Sequence, residues 1–279
     1  MTTKRQLVSS VLAASAAAAL SFTLTAPAAA ANAHTTAPDN GTTVTQQEDR
    51  QLTPIDRRYW SDPELRRVLG PPVDSEQDLG EISYRQFENG WMYHTSSTGV
   101  HETHGAIADK YTEVGTHYTY GVPVTDELST PDGVGRFNYF EGTDAIGTAS
   151  IYWTRYTGAQ GTWGPVQQFW GDHGWETGFL SYPTTTTADT PHKPGVFSHF
   201  LGADGSGASV YWSPDTGAHS VQGTIREEWA QLGWEDSWLG FPTSNEYDIP
   251  GGKRSDFQGG FITWNASTGI ATAHRYSSE

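Results

Sequence analysis

Apolar positions along this chain change period in a fixed order, and the order repeats. Three windows place apolar residues four apart: Ile107 and Tyr111, Val166 and Trp170, Ile225 and Trp229. That spacing marks one buried stripe of a helix. Each window opens on a glycine (Gly105, Gly164, Gly223) and closes on another ten residues later (Gly115, Gly174, Gly233). A closing glycine can take the left-handed conformation that ends a helix, and Trp175 or Trp234 follows at once to cover the helix end. The same pair stands once more near the start. Ile55 precedes Leu69 by 14 residues, as Ile225 precedes Leu239, and Tyr59 then matches Trp229.

After each window the period shortens to two. The triplets Met92-Tyr93-His94, Ile151-Tyr152-Trp153, Val210-Tyr211-Trp212 and Ile262-Thr263-Trp264 occupy matching places, and Thr-Gly follows four residues after each. Aromatic and β-branched alternation ending on a glycine reads as a strand entering a hairpin turn. Between helix and strand lies a proline-centred tetrapeptide: Leu69-Gly70-Pro71-Pro72, Tyr120-Gly121-Val122-Pro123, Leu180-Ser181-Tyr182-Pro183 and Leu239-Gly240-Phe241-Pro242. The second and third copies carry an extra Gly-rich segment before the triplet, Thr143 to Ser150 and Ala203 to Ser209, expected as a surface loop.

Started at the helix, the chain divides into four whole units, at 52–104, 105–163, 164–222 and 223–279. One such unit is too small to bury a core alone, so neighbours must stack. The expected fold class is α+β and β-rich. It is a tandem array of four small modules, each a short helix plus a small antiparallel β-sheet. Residues 34–51 are polar, without an apolar period, and are expected as a disordered linker.

Residues 1–33 have the make-up of an export signal. Lys4 and Arg5 precede an apolar stretch from Leu7 to Leu24, and small residues follow at Ala28 to Ala30 and at Ala31-Asn32-Ala33. Removing it would take the formal charge from −16 to −18. So acidic a chain lacks the basic patch that nucleic acid or an anionic membrane surface requires. With 0 cysteines, disulfide staples, thiol catalysis and thiolate metal sites are all excluded.

These residues resemble the LGFP repeat family, whose name Leu239-Gly240-Phe241-Pro242 spells out. The fuller signature is here too: Pro242-Thr243-Ser244-Asn245-Glu246, then Phe and Gly, Tyr-Trp, Thr-Gly, and Gly-x-Ile-x-x-x-Trp. Copies one and three depart from it, with Pro71 in place of Phe and Ser181 in place of Gly, and copy three has Thr187 where the others have an acid. The resemblance implies an exported actinobacterial protein that binds the cell wall through β-rich modules strung into an elongated stalk. Its implied partner is a wall polysaccharide, peptidoglycan or arabinogalactan. Such arrays are sometimes fused to mycolyltransferases or wall hydrolases; this chain resembles the stalk alone. The sequence itself leaves a straight stalk and a closed ring both open.

Candidate ligand groups recur with the module. In each triplet the outer members are apolar in three copies and face the core, while the middle Tyr93, Tyr152 or Tyr211 points the other way. An amphipathic tyrosine there can stack on a sugar ring and hydrogen-bond through its hydroxyl; the plainer reading packs it against the neighbouring unit. Glu76, Glu127 and Glu246 each lie four residues after the motif proline and could accept sugar hydroxyls, or else cap a backbone turn. His101-Glu102-Thr103-His104 is one residue short of the metal-binding His-Glu-x-x-His, and its histidines are expected on an exposed loop. Gly205-Ser206-Gly207 matches neither a nucleophile elbow nor a calcium repeat. The expectation is a non-catalytic secreted protein, without cofactor or metal, that binds wall glycan multivalently. A secreted protein-interaction or inhibitor module is the alternative, and a wall hydrolase comes third.

Overall fold

The computed structural model describes residues 52–277, so the signal segment and linker expected over 1–51 lie outside the described residues. Four four-stranded antiparallel sheets follow one another, each with its strands in sequential order. The first module comprises α1 (Pro54–Ser61), α2 (Pro63–Leu69), β1 (Gln77–Asp78), β2 (Ile82–Phe87), β3 (Gly90–Thr95) and β4 (Gly99–His104). The second comprises α3 (Gly105–Glu113), α4 (His117–Tyr120), β5 (Leu128–Ser129), β6 (Arg136–Thr143), β7 (Gly147–Thr154) and β8 (Gly158–Trp163). In the third, α5 (Gly164–Asp172) and a 3-10 turn (Trp175–Thr177) precede β9 (Ala188–Asp189), β10 (Val196–Phe200), β11 (Ala208–Ser213) and β12 (Gly217–Gln222). The fourth has α6 (Gly223–Leu232), a 3-10 turn (Trp234–Asp236), β13 (Tyr247–Ile249), β14 (Gly252–Phe257), β15 (Gly260–Asn265) and β16 (Ile270–Arg275).

The helix stripes expected from the i, i+4 pairs are buried, with Ile55, Tyr59, Ile107, Tyr111, Val166, Trp170, Ile225 and Trp229 all in the core. Each interior helix lies between two sheets. Tyr111 stacks on Phe140 of its own sheet (4.7 Å) and meets Tyr93 of the preceding sheet edge-on (5.8 Å). Trp170 repeats this between Tyr152 (4.6 Å) and Phe200 (5.7 Å), and Trp229 between Tyr211 (4.7 Å) and Phe257 (5.2 Å). Edge-on and offset rings are the favoured aromatic geometries, so one interlock closes every junction. Helix α1 packs Tyr59 on Phe87 alone, and its neighbour Trp60 stays 56 % exposed.

The tetrapeptide is the hinge from helix to sheet. Leu69, Leu180 and Leu239 are wholly buried, and each motif proline makes an isolated antiparallel bridge to the inner-face phenylalanine: Pro72 to Phe87, Pro123 to Phe140, Pro183 to Phe200, Pro242 to Phe257. The second position turns at positive φ (71°, 72°, 58° and 71° at Gly70, Gly121, Ser181 and Gly240), which favours glycine. Its carbonyl accepts from the helix aromatic in three modules: Tyr59 Oη to Gly70, Tyr111 Oη to Gly121, Trp170 Nε1 to Ser181, at 2.8–3.0 Å.

Two expectations need correction. The extra segments are not wholly loop: β7 begins at Gly147 and β11 at Ala208, so the hairpins merely lengthen. The residues after each Thr-Gly turn return as a fourth strand, so His101 and His104 lie on β4 rather than in an exposed loop. The pattern obscures that strand because its side chains alternate between the core and a polar seam.

Candidate functional site

Where one module meets the next, the same positions face each other at three seams. The last residue of the preceding sheet (His104, Trp163 or Gln222) stands beside the helix-opening glycine. Opposite, on the inner face of the following sheet, a tryptophan of the third strand pairs with the second: Arg136 with Trp153, Val196 with Trp212, Lys253 with Trp264. The loop after the motif proline supplies Glu127, Thr187 or Glu246. Just before it, Asp126, Thr186 and Asn245 each accept a hydrogen bond from the preceding module's last strand, at the amides of Glu102 (3.2 Å), Gly161 (3.2 Å) and Ser220 (3.0 Å). These three clasp the modules together. They share an oxygen acceptor in register, the one sequence signal that marks them.

The seam between modules one and two is filled with charge. Glu127 accepts from Arg136 Nε at 2.7 Å and lies 3.5 Å from His104 Nε2, while His104 Nδ1 meets buried Glu102 at 2.8 Å. Arg58 pairs with Asp126 at 2.5 Å and also reaches the Val100 carbonyl, and His101 lies 3.2 Å from the same aspartate. The hydrogen bond that His104 donates to Glu102 raises its pKa from the ordinary histidine value, against its burial. Burial works against an ionised Asp126, but His101 and Arg58 outweigh it and hold its carboxyl well below the ordinary range. A shallow cavity of about 420 Å³ remains beside this network.

At the seam between modules three and four Lys253 lies 3.2 Å from both Glu246 and Asp248, His192 meets Asp236 at 2.6 Å, and burial raises Glu246 despite the lysine. With Trp264, Gln222 and the Asp204 and Ser206 loop, Lys253 and Glu246 line a cavity of about 320 Å³.

The middle seam differs in kind. Thr187 and Val196 replace the acid and the base, so no ion pair stands in its mouth. A groove of about 920 Å³ opens instead, bounded by Trp163, Trp212 and Val196 at one end and by Asp172 and Trp175 at the other. It runs along α5, whose nine residues span about 13 Å, and the β6–β7 hairpin from Ala145 to Thr148 forms the far wall. Trp163 is held by its Nε1, which donates to the Thr187 carbonyl at 3.0 Å. Gln168, Asp172 and Asp189 are exposed along it.

The tyrosines anticipated as ligand groups sit elsewhere. Tyr93, Tyr152 and Tyr211 are 1 %, 2 % and 2 % exposed, each pressed between its own sheet and the next helix. Tyr84, Phe137 and Phe197 stack on them across the strands, and desolvation raises all three hydroxyls well above the ordinary range. In this packing none offers a ring face to a ligand. Glu127 and Glu246 form the seam ion pairs rather than capping turns, whereas Glu76 accepts from the Thr53 hydroxyl at the start of α1 (2.5 Å). The seam tryptophans, which their strand periodicity assigns to the core, are only partly buried; Trp212 and Trp264 line the cavities of the second and third seams, whereas Trp153 lies outside the first. Among the described residues no group of three or more His, Cys, Asp or Glu side chains is placed to hold a metal ion. No helix among them is long and apolar enough to cross a membrane.

A search of curated proteins finds no match for this chain. The LGFP repeat matches four times, over residues 69–117, 121–178, 180–237 and 239–277, and no catalytic domain is identified. Each matched segment runs from a tetrapeptide through the sheet, and the first three continue into the helix that follows, so α1 stands ahead of the first match. With most of its length covered by the repeat, the chain belongs to the LGFP repeat family.

Proposed function

We propose that this is a secreted, non-catalytic protein that binds cell-wall glycan through grooves at the seams between its repeats. The observation that carries the reading is the partly buried tryptophan at one register position of three successive sheets, Trp153, Trp212 and Trp264, the last two of which line seam cavities. An indole edging a groove beside polar side chains suits a sugar, which presents C–H groups on its face and hydroxyls at its rim. Shallow sites bind weakly one at a time, and a polymer spanning several of them gains avidity. Association of the family with exported wall proteins agrees with this role, and the acidic surface directs the choice toward glycan rather than nucleic acid.

The test is co-sedimentation of the mature chain with purified wall sacculi. The wild type pellets with them, and Trp153→Ala, Trp212→Ala and Trp264→Ala combined weaken binding by more than about tenfold. A wild-type chain that stays in the supernatant while capturing a folded secreted protein would replace this reading with the interaction-module one.

A further inference from the structure

We infer that the groove between modules two and three is the principal ligand site of the array, and that its ligand is a neutral, hydroxyl-rich oligosaccharide. This rests on the glycan-binding reading and says which seam carries it and which glycans it admits.

Three observations lead there. The acid and base that occupy the outer seams are Thr187 and Val196 here, so a ligand need not displace an ion pair to enter. Breaking such a pair would leave a buried glutamate without its partner, a cost the middle seam avoids. Next, the strand-end position that is His104 or Gln222 elsewhere is Trp163, oriented by its bond to the Thr187 carbonyl. It shares the mouth with Trp212, and Trp175 lies at the far end, so aromatic surface is available at both ends of one preformed groove. Its length along α5, about 13 Å, exceeds a single sugar ring.

The third observation is the charge of the lining. Among the residues around the groove there is no lysine, arginine or histidine, while Asp172 and Asp189 stand exposed with the Gln168 amide. Carboxylates accept hydrogen bonds from sugar hydroxyls and repel carboxylate-bearing polymers. A neutral polysaccharide is therefore admitted and an anionic one refused. The outer seams, with their cations already paired to glutamates, are secondary contacts.

Calorimetric titration of the mature chain tests this with two probes, soluble arabinogalactan as the neutral polymer and carboxylate-bearing peptidoglycan fragments as the anionic one. The neutral polymer is expected to bind and the fragments to bind at least about tenfold more weakly at low salt. Trp212→Ala should lower neutral-polymer affinity about tenfold, and Trp264→Ala at most about twofold. Because Trp212 also packs against the core, the exposed double variant Gln168→Ala/Asp172→Ala is measured in parallel and should lose about fivefold with unchanged melting. Equal losses for Trp212→Ala and Trp264→Ala, or preference for the anionic fragments, would overturn the inference and leave wall binding standing. Failure of the wild type to bind either probe or whole sacculi would remove both.

Discussion

The first and second seams are built from the same positions and do opposite things. At the first, Arg136, Glu127, His104 and Glu102 fill the gap with ion pairs. At the second, Val196, Thr187 and Trp163 leave a groove. The aromatic interlock beneath is the same in both, with Tyr111 or Trp170 held between two sheets. Cohesion is thus separated by depth from the variable rim: the interlock joins the modules, and the rim above it, where ligand binding is proposed, is free to vary. Substitutions at the two depths should therefore have separable effects.

The largest effect is expected at the shared interlock. Trp170→Ala, which empties a fully buried position between two sheets, should cost about 3–5 kcal/mol in urea denaturation, whatever the rim carries. A loss below about 1 kcal/mol would mean that the modules cohere mainly through the rim. The next test converts one rim into the other. Val196→Lys alone places an ammonium at a position 6 % exposed, with only the exposed Asp189 across the strand to partner it, and should cost about 3 kcal/mol. Adding Thr187→Glu should restore much of that loss and block ligand binding at this seam, which a double-mutant cycle and titration together read out.

Titration separates the seams by sign. His104 is raised by its bond to Glu102, so the folded chain holds that proton more tightly than the unfolded chain does. Its stabilisation is complete below the ordinary histidine value of 6.5 and is lost as pH rises through the raised value. His199, on the outer face of the third sheet, is pushed down to about 4 by burial and by Arg226. It holds its proton more weakly folded than unfolded, so stability is kept above 6.5 and falls as pH drops toward 4. His104→Gln should flatten the alkaline side of a denaturation-midpoint profile, and His199→Gln the acidic side. Loss of the same side in both variants would contradict the assignment. The smallest expected effect is Ser181→Gly, which relieves a non-glycine residue at φ 58°. The left-handed conformation costs more than glycine's added chain entropy, for a net gain of about 0.5 kcal/mol in the melting equilibrium.

Much of this architecture is legible in the chain. The i, i+4 pairs mark all four core helices, three of them bounded by glycines, and the triplets mark the third strand of every sheet. The fourth strand escapes because residues such as Glu102 and His104 serve a seam, and a seam imposes no apolar period. Alternation correctly places Tyr93, Tyr152 and Tyr211 opposite the module's own core, but a period of two cannot say whether the second face is wet. In a stacked array it is covered by the next helix. The grooves are hidden for a related reason. Trp163 and Trp212 lie 49 positions apart and belong to different modules, so no contiguous motif contains the site.

The outer face of the fourth sheet bears on how far such an array can grow. Where the first three sheets offer an aromatic pair to the next helix, this one has Arg254 opposite Thr263, with Arg254 paired to Asp256 and lying 3.7 Å over the Phe261 ring. A helix arriving there would strip water from that ion pair and find the Phe261 ring already covered by Arg254. Phenylalanine and tyrosine at 254 and 263 would give this face the aromatic pair that the other three sheets carry. Two polar side chains thus make the fourth sheet's outer face a surface that a helix of this kind would not seat on, so the interlock's geometry is permitted or refused at each sheet by a single cross-strand pair.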